Sequence, residues 1–356
     1  MKNIQASKRK MISHSKPFFD RSDYLEISST LKIAFVTNGE KARKLASISA
    51  KIMDKKWGIA VQSGTDALTL ALSLMDLKSN AKIAIPAYAC GAILDAVKFH
   101  NFSPIPIDIS KENLAISIEK ASSPTFDAVI AAHLFGIAAP IYKIKNKKLI
   151  EDCAQCIGIK YQNKIIGSSG RFSISSFYGT KIVCAGHGGV ICGNRDYDYE
   201  KAIKILKHDK IEKWQPHLHF LLSDLNASLG ISQFTKLDFF LRRRREIAST
   251  YYEALGYNTA LPSNNIFFRF LIIPNGTSQK ELIAKFANAG IEACKPVYKP
   301  IFKLMNMPGE NFPNSDWADR NLISIPIYPA LKRNEVQKIS HFLRKHKNEI
   351  SCWPPA

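Results

Sequence analysis

No stretch of this sequence stays apolar long enough to cross a bilayer. The longest, Ala128 to Tyr142, is broken by His133, Gly136 and Pro140 and falls short of the ~20 residues a spanning helix needs. The opening, MKNIQASKRKMISHSKPFF, is basic and polar without an apolar core, which excludes a secretory signal. Cysteine is scarce and odd in number, seven residues with no spaced framework, so the fold is not a disulfide scaffold. Cys153 and Cys156 form a lone CxxC. Zinc would want a second Cys or His pair and a redox motif would open a helix after a strand, so both read as packed, reduced thiols and no metal site is expected. These absences predict a cytoplasmic protein. Acidic residues are also short: 30 Asp and Glu face 50 Lys and Arg, for a net charge of +20. Such a surplus attracts phosphates, nucleotides and acidic surfaces in general. It is spread along the chain, however, which marks surface composition rather than a nucleic-acid site.

What is present is an ordinary globular composition, 46% apolar and 22% charged, in a chain long enough for two domains. From Ile33 onward short β-rich runs alternate with helix-like segments, the pattern of a mostly parallel sheet covered by helices on both faces. Strands are predicted at Trp57–Gln62, Lys82–Pro86, Pro104–Ile109, Ala128–Leu134, Lys148–Glu151, Phe172–Tyr178 and Gly189–Cys192. Helices are predicted at Asp66–Met75 and Ala92–Phe99, and Leu225–Ala254 reads as one long helix or two abutting ones. The join between Leu134 and Lys148 has room for at most one helical turn, although parallel strands are normally linked through a helix. Beyond Asn264 a strand (Ile266–Ile273) and amphipathic helices (Gln279–Ala289, Arg333–Lys345) indicate a smaller α+β domain. The expected division is an N-terminal arm over residues 1–30, a large domain over 31–247 and a small one over 248–356.

Three features carry chemistry. Ser63-Gly64-Thr65 lies between a strand and a helix, where free N–H groups and the helix dipole attract phosphate, although Ser and Thr there are also ordinary caps. Asp152 ends an apolar strand with Gln155 one turn on, where open α/β sheets bind ligands; it either pairs with a cation or caps a helix. Lys181 follows the strand-ending run SSFYGT and precedes Gly186-His187-Gly188-Gly189. Partial desolvation there would make its neutral amine a nucleophile toward aldehydes, whereas an isolated lysine is normally a surface residue.

The segments SGTDALTLALSL, AIPAYAC, PIPIDIS, HLFG, LIEDCAQ, GSSGRFSISSFYGTK and AGHGGV, with VYKP and SIPIYPAL later, stand in the order found in one family. From about Phe35 to Leu343 the chain resembles the DegT/DnrJ/EryC1/StrS aminotransferases of nucleotide sugars, which depend on pyridoxal 5′-phosphate (PLP). The resemblance implies the fold-type I architecture of PLP-dependent transferases, α/β with a smaller C-terminal domain, and a homodimer with shared active sites. It implies that Lys181 forms the internal aldimine with PLP, that Asp152 keeps the pyridine nitrogen protonated, and that Gln155 lies beside the ring hydroxyl. Gly64, Thr65 and Ser176 would hold the phosphate. The implied reaction moves an amino group from a donor such as glutamate to a keto acceptor, a nucleotide-linked keto sugar in the family pattern. Lysine rather than histidine at position 181 speaks against the family's dehydratase branch.

Several positions depart from the family pattern. Cys90 stands where an aromatic residue usually stacks on the cofactor, so either Tyr88 substitutes or the ring packs on a thiol-bearing wall. His219 replaces the partner-subunit asparagine that reaches the phosphate, and Leu221 replaces a nearby arginine. His187, in a turn that often carries an acid, would touch substrate or the partner subunit, and Tyr298 would approach the substrate. His133 reads equally as core packing or as a direct participant. Arg242 to Arg245 wind around a helix and read as solvated or partner-facing. Two alternatives stay open: another PLP reaction such as elimination, or a non-catalytic regulatory or nucleic-acid-binding relative on the same fold.

Overall fold

The structure, a computed structural model, describes residues 11–207 and 217–354. Helices α1 (Arg21–Ile33) and α2 (Glu40–Ile52) precede β1 (Trp57–Val61), α3 (Gly64–Ser73), β2 (Lys82–Pro86), α4 (Gly91–Phe99) and β3 (Ser103–Ile107). A short α5 (Ile118–Ala121) leads to β4 (Ala128–Ala132) and β5 (Leu149–Asp152). The small hairpin β6 (Lys160–Tyr161) and β7 (Lys164–Ile165) comes before β8 (Phe172–Ser176), β9 (Gly189–Gly193) and α6 (Asp196–Leu206). Then follow α7 (Asp224–Phe234), α8 (Leu237–Leu255), β10 (Phe270–Pro274), α9 (Gln279–Asn288), α10 (Ile301–Leu304), α11 (Pro313–Asn321), β11 (Ile323–Ile325), α12 (Arg333–Lys345) and β12 (Ile350–Trp353).

The main sheet has the order β1-β9-β8-β5-β4-β2-β3. Its five strands from β8 to β3 run parallel, while β9 runs antiparallel to both β8 and β1. Alternation along the strands sorts the two faces. Ile59 and Val61 of β1 join Leu68 and Leu70 of α3 in one core, whereas Ala60 joins Leu45 of α2 and Ile231 of α7 in another. The mostly parallel sheet with helices on both faces is therefore the one read from the periodicity. The second sheet, β11-β10-β12, is antiparallel and packs with α8, α9 and α12 around Phe270, Phe286 and Leu343.

Three local features have physical causes, and the first is the expected short crossover. The crossover from β4 to β5 holds one 3-10 turn, Ile141–Lys143, and buries Ile141 and Ile144 against the sheet instead of a helix. The strand expected from Ile266 begins only at Phe270, because Ile266 N and Arg269 N donate to Gly136 O and Phe135 O of the β4 crossover. The arginine run is not a solvated stripe. Four consecutive residues on a helix point around it, so some must face inward. Arg244 is buried, and its Nη1 donates to the carbonyls of Phe267 and Phe268, both at 3.2 Å, and of Ile327 at 2.5 Å. Arg245 Nη1 donates to the carbonyls of Pro262 and Asn265 at 2.9 Å. Both arginines tie down backbone that no strand pairs, while Arg242 stays exposed beside Glu246.

Candidate active site

The carboxyl ends of the parallel strands open onto a cavity of about 320 Å³. Each connection after a strand supplies one wall: Ser63–Thr65 after β1, Ala89–Ile93 after β2, Ala132–Leu134 after β4, Asp152–Gln155 from β5, and Ile174–Lys181 from β8. This is where an open α/β sheet places its ligand. Leu68, Ala89, Ile93, Leu134 and Ala154 make much of the wall apolar.

Asp152 and Lys181 line the same cavity. The Asp152 backbone is fixed by β5 pairing and by His133 N donating to its carbonyl at 3.0 Å, and Oδ1 accepts from Ala154 N at 2.9 Å. No helix follows it to be capped; the bond closes a turn, and the carboxylate lines the cavity. Burial pushes its pKa up, opposed by that N–H and by Lys181. Lys181 sits in a turn closed by its N–H on Tyr178 O at 2.8 Å, and its Nζ lies 5.6 Å from the centre of the Phe268 ring. Burial pulls its pKa down, opposed by Cys90 and Asp152 and reinforced by Arg269. Both groups are displaced in the direction of their neutral forms. Gln155 Oε1 accepts from Phe135 N at 2.7 Å, which fixes the amide beside the carboxylate.

Behind Asp152 lies a buried polar network. Glu151 accepts from Gly167 N at 2.9 Å, Ser169 N at 2.8 Å and Gly170 N at 3.1 Å, and its Oε1 lies 3.0 Å from His133 Nε2. Since His133 Nδ1 accepts from Ala139 N at 3.0 Å, the ring proton must sit on Nε2 and face Glu151. Burial opposes the charge on Glu151, but His133 and the amides outweigh it and hold the carboxyl below its usual range. His133 therefore packs and positions, with no free ring nitrogen for the cavity. Cys153 adds a third potential metal ligand within 4.8 Å of these two, but the hydrogen bonds already account for the carboxylate and imidazole. All seven cysteines are free, and Cys153 and Cys156 are buried.

The N-terminus of α3 lines the same cavity. Ser63 is its N-cap, with Oγ accepting from Asp66 N at 3.0 Å. The first N–H groups of a helix have no intrahelical acceptor, so an anion here meets free donors. A Cβ on Gly64 would lie 2.9 Å from Ser176 Cβ, so only glycine lets α3 and the end of β8 approach this closely. Gly64, Thr65 and Ser176 thus share one wall.

The structure brings Gly64, Thr65, Cys90, Asp152, Gln155, Ser176, Lys181 and His187 into one cavity. It does not bring Tyr88, His219 or Tyr298 there. Tyr88 is wholly buried behind the wall against Phe135, with ring centres 6.1 Å apart, so it does not take the stacking place. Cys90, at the N-cap of α4, opens onto the cavity instead, and burial lifts its thiol pKa, leaving a neutral wall. His219 is exposed on the segment alongside β1, where its carbonyl accepts from Gln62 Nε2 at 2.9 Å. Tyr298 is 95% exposed. Phe268, which carries the lysine amine on its ring face, lies 87 positions downstream of Lys181 and had no local signal.

Comparison with known proteins follows the same lines. The model of the DegT/DnrJ/EryC1/StrS aminotransferase family matches residues 19–344. GDP-perosamine synthase of Vibrio cholerae is 25% identical over 373 residues, covering 96% of this chain and all of that protein. Among solved structures, the PLP form of Spr1654 from Streptococcus pneumoniae has a TM-score of 0.84 at 20% identity, covering 95% of this chain and 98% of that one. Helicobacter pylori PseC, an aminotransferase involved in the biosynthesis of pseudoaminic acid, has a TM-score of 0.84 at 22% identity, covering 94% and 99%. The fold is that of the fold-type I enzymes. The chain belongs to the DegT/DnrJ/EryC1/StrS aminotransferase family.

Proposed function

From that membership we propose that the chain is a PLP-dependent aminotransferase that takes its amino group from an amino acid such as glutamate and delivers it to a nucleotide-linked keto sugar. The observation that carries this reading is the shared cavity: an amine displaced toward neutrality, a buried carboxylate and a helix N-terminus opened by Gly64. The donor set fits the cofactor, with Lys181 for the aldehyde carbon, Asp152 for the ring nitrogen, Gln155 for the ring hydroxyl and Gly64, Thr65 and Ser176 for the phosphate. Cys90 supplies a small, neutral wall toward the ring.

When bound, PLP supplies an electron sink for the bond broken beside the amino nitrogen. The chain's own residues do the rest. Lys181 would hold the cofactor at its aldehyde carbon, and its Nζ would serve as base toward the proton on the donor α-carbon and then as acid, handing that proton to the cofactor side. Asp152 would keep a proton on the ring nitrogen, and the Glu151–His133 network holds the strand end that presents it. The apolar wall excludes water.

A homodimer belongs to the same proposal. Tyr24, Leu25, Leu31 and Ile33 of α1, with Phe35 just beyond, are each more than half exposed, large apolar side chains of the kind that a second subunit covers. His219, outside its own cavity, would then serve the partner's. No helix among the described residues is long and apolar enough to cross a membrane, and seven unpaired cysteines suit the reducing cytoplasm.

The test is a half-reaction. Glutamate added to the PLP-loaded protein should release one equivalent of 2-oxoglutarate per site and bleach the visible absorbance. Release of ammonia would instead assign elimination. Nucleotide sugars and keto acids that bind the native state should raise its melting temperature.

A further inference from the structure

The anion-binding end of the cavity has one more wall. Gly188 forms a parallel bridge with Ser63, and Gly189 comes so near that a Cβ there would lie 2.2 Å from Ser63 O. His187 is thereby carried against the N-terminus of α3, and it lines the cavity. Its turn is anchored by Asn226 Nδ2 donating to Ala185 O at 2.6 Å. Its ring stands edge-to-face on Tyr178, centres 5.4 Å apart, two residues beyond Ser176.

The charge balance of the cavity singles this residue out. Among the described lining residues there is no arginine and one lysine, Lys181, which is committed to the aldehyde carbon. Of the two lining histidines, His133 has both nitrogens engaged, with Ala139 N and Glu151. His187 is the remaining lining side chain that can bring positive charge to the end formed by Ser63, Gly64, Thr65 and Ser176.

We infer that His187 is a ligand of the cofactor phosphate, giving it a charged hydrogen-bond donor from the same chain. The inference rests on the PLP reading above. Helix N–H groups and hydroxyls are neutral donors, and an imidazolium adds the charge-assisted bond that they lack.

The experiment compares dissociation constants of the cofactor-free protein for PLP and for pyridoxal, which differ only in the phosphate. Inorganic phosphate serves as a third probe through the melting temperature. Replacing His187→Gln should weaken PLP binding roughly ten- to a hundredfold, the range of one charge-assisted hydrogen bond, and leave pyridoxal binding within about twofold. His187→Arg should restore PLP affinity, and phosphate should raise the melting temperature of the wild type more than that of His187→Gln. Unchanged PLP affinity in His187→Gln, or equal losses for PLP and pyridoxal, would overturn the assignment. Failure of the wild-type protein to bind PLP at all would sink the cofactor reading itself, with the phosphate arm still reporting on His187.

Discussion

Replacing Asp152→Asn should make the cofactor-free protein more stable and the enzyme far slower. Without cofactor the carboxylate faces a mostly apolar cavity, and burial raises its pKa. A carboxyl whose folded pKa exceeds its unfolded one adds no cost below the unfolded value, and its cost is complete once pH has risen past the folded one. At neutral pH asparagine removes that cost, while its side-chain oxygen can still accept from Ala154 N. The variant's melting temperature should therefore exceed the wild type's at neutral pH, by a margin that shrinks toward acid pH. The same change removes the group that keeps the ring nitrogen protonated, so turnover should fall by roughly 10²- to 10³-fold. Calorimetry of the cofactor-free protein and initial rates of the glutamate half-reaction read the two effects. If the variant melts several degrees below the wild type without cofactor, the Asp152 carboxylate chiefly closes its turn and the reasoning fails.

The network behind Asp152 should behave oppositely. Glu151→Ala strands three backbone N–H groups and His133, and should cost about 3–5 kcal/mol in urea unfolding, whereas a loss under 1 kcal/mol would contradict the network. Arg244→Met removes the donor to three carbonyls and should cost about 2–4 kcal/mol by the same measurement, refuting a solvated role. His14 lies between Arg269 and Ser324, and burial, aided by Arg269, lowers its pKa from 6.5 to about 3. The unfolded chain therefore takes up a proton between those values that the fold does not. Stability is complete above pH 6.5 and falls as pH drops toward about 3; His14→Gln should flatten that slope, and an unchanged slope would exclude His14 as its source.

Much of the molecule was legible because its signals are local. Lys82–Pro86 and Arg333–Lys345 have the bounds that periodicity predicts, since each has a continuous buried face. The Ser63 cap, the strand-ending Asp152 and the run to Lys181 were readable because strand ends and helix starts are marked by residue type. What escaped depends on tertiary direction. Tyr88 and Cys90 are two apart after β2, and only the turn into α4 decides that the ring goes inward and the thiol toward the cavity. Residues 266–269 are apolar and aromatic enough for a strand, but Ile266 and Arg269 give their N–H groups to the β4 crossover, so Phe268 reaches Lys181 through contacts far apart in sequence. Helix α1, in the segment read as an arm, did carry a signal, the capping box of Asp20 and Asp23.

The proposed chemistry depends on one amine. Borohydride reduction of the PLP-loaded protein, followed by peptide mass analysis, should place a single phosphopyridoxyl group on the peptide containing Lys181, with none in Lys181→Ala. A label on a different lysine, or a label that survives the substitution, would contradict it.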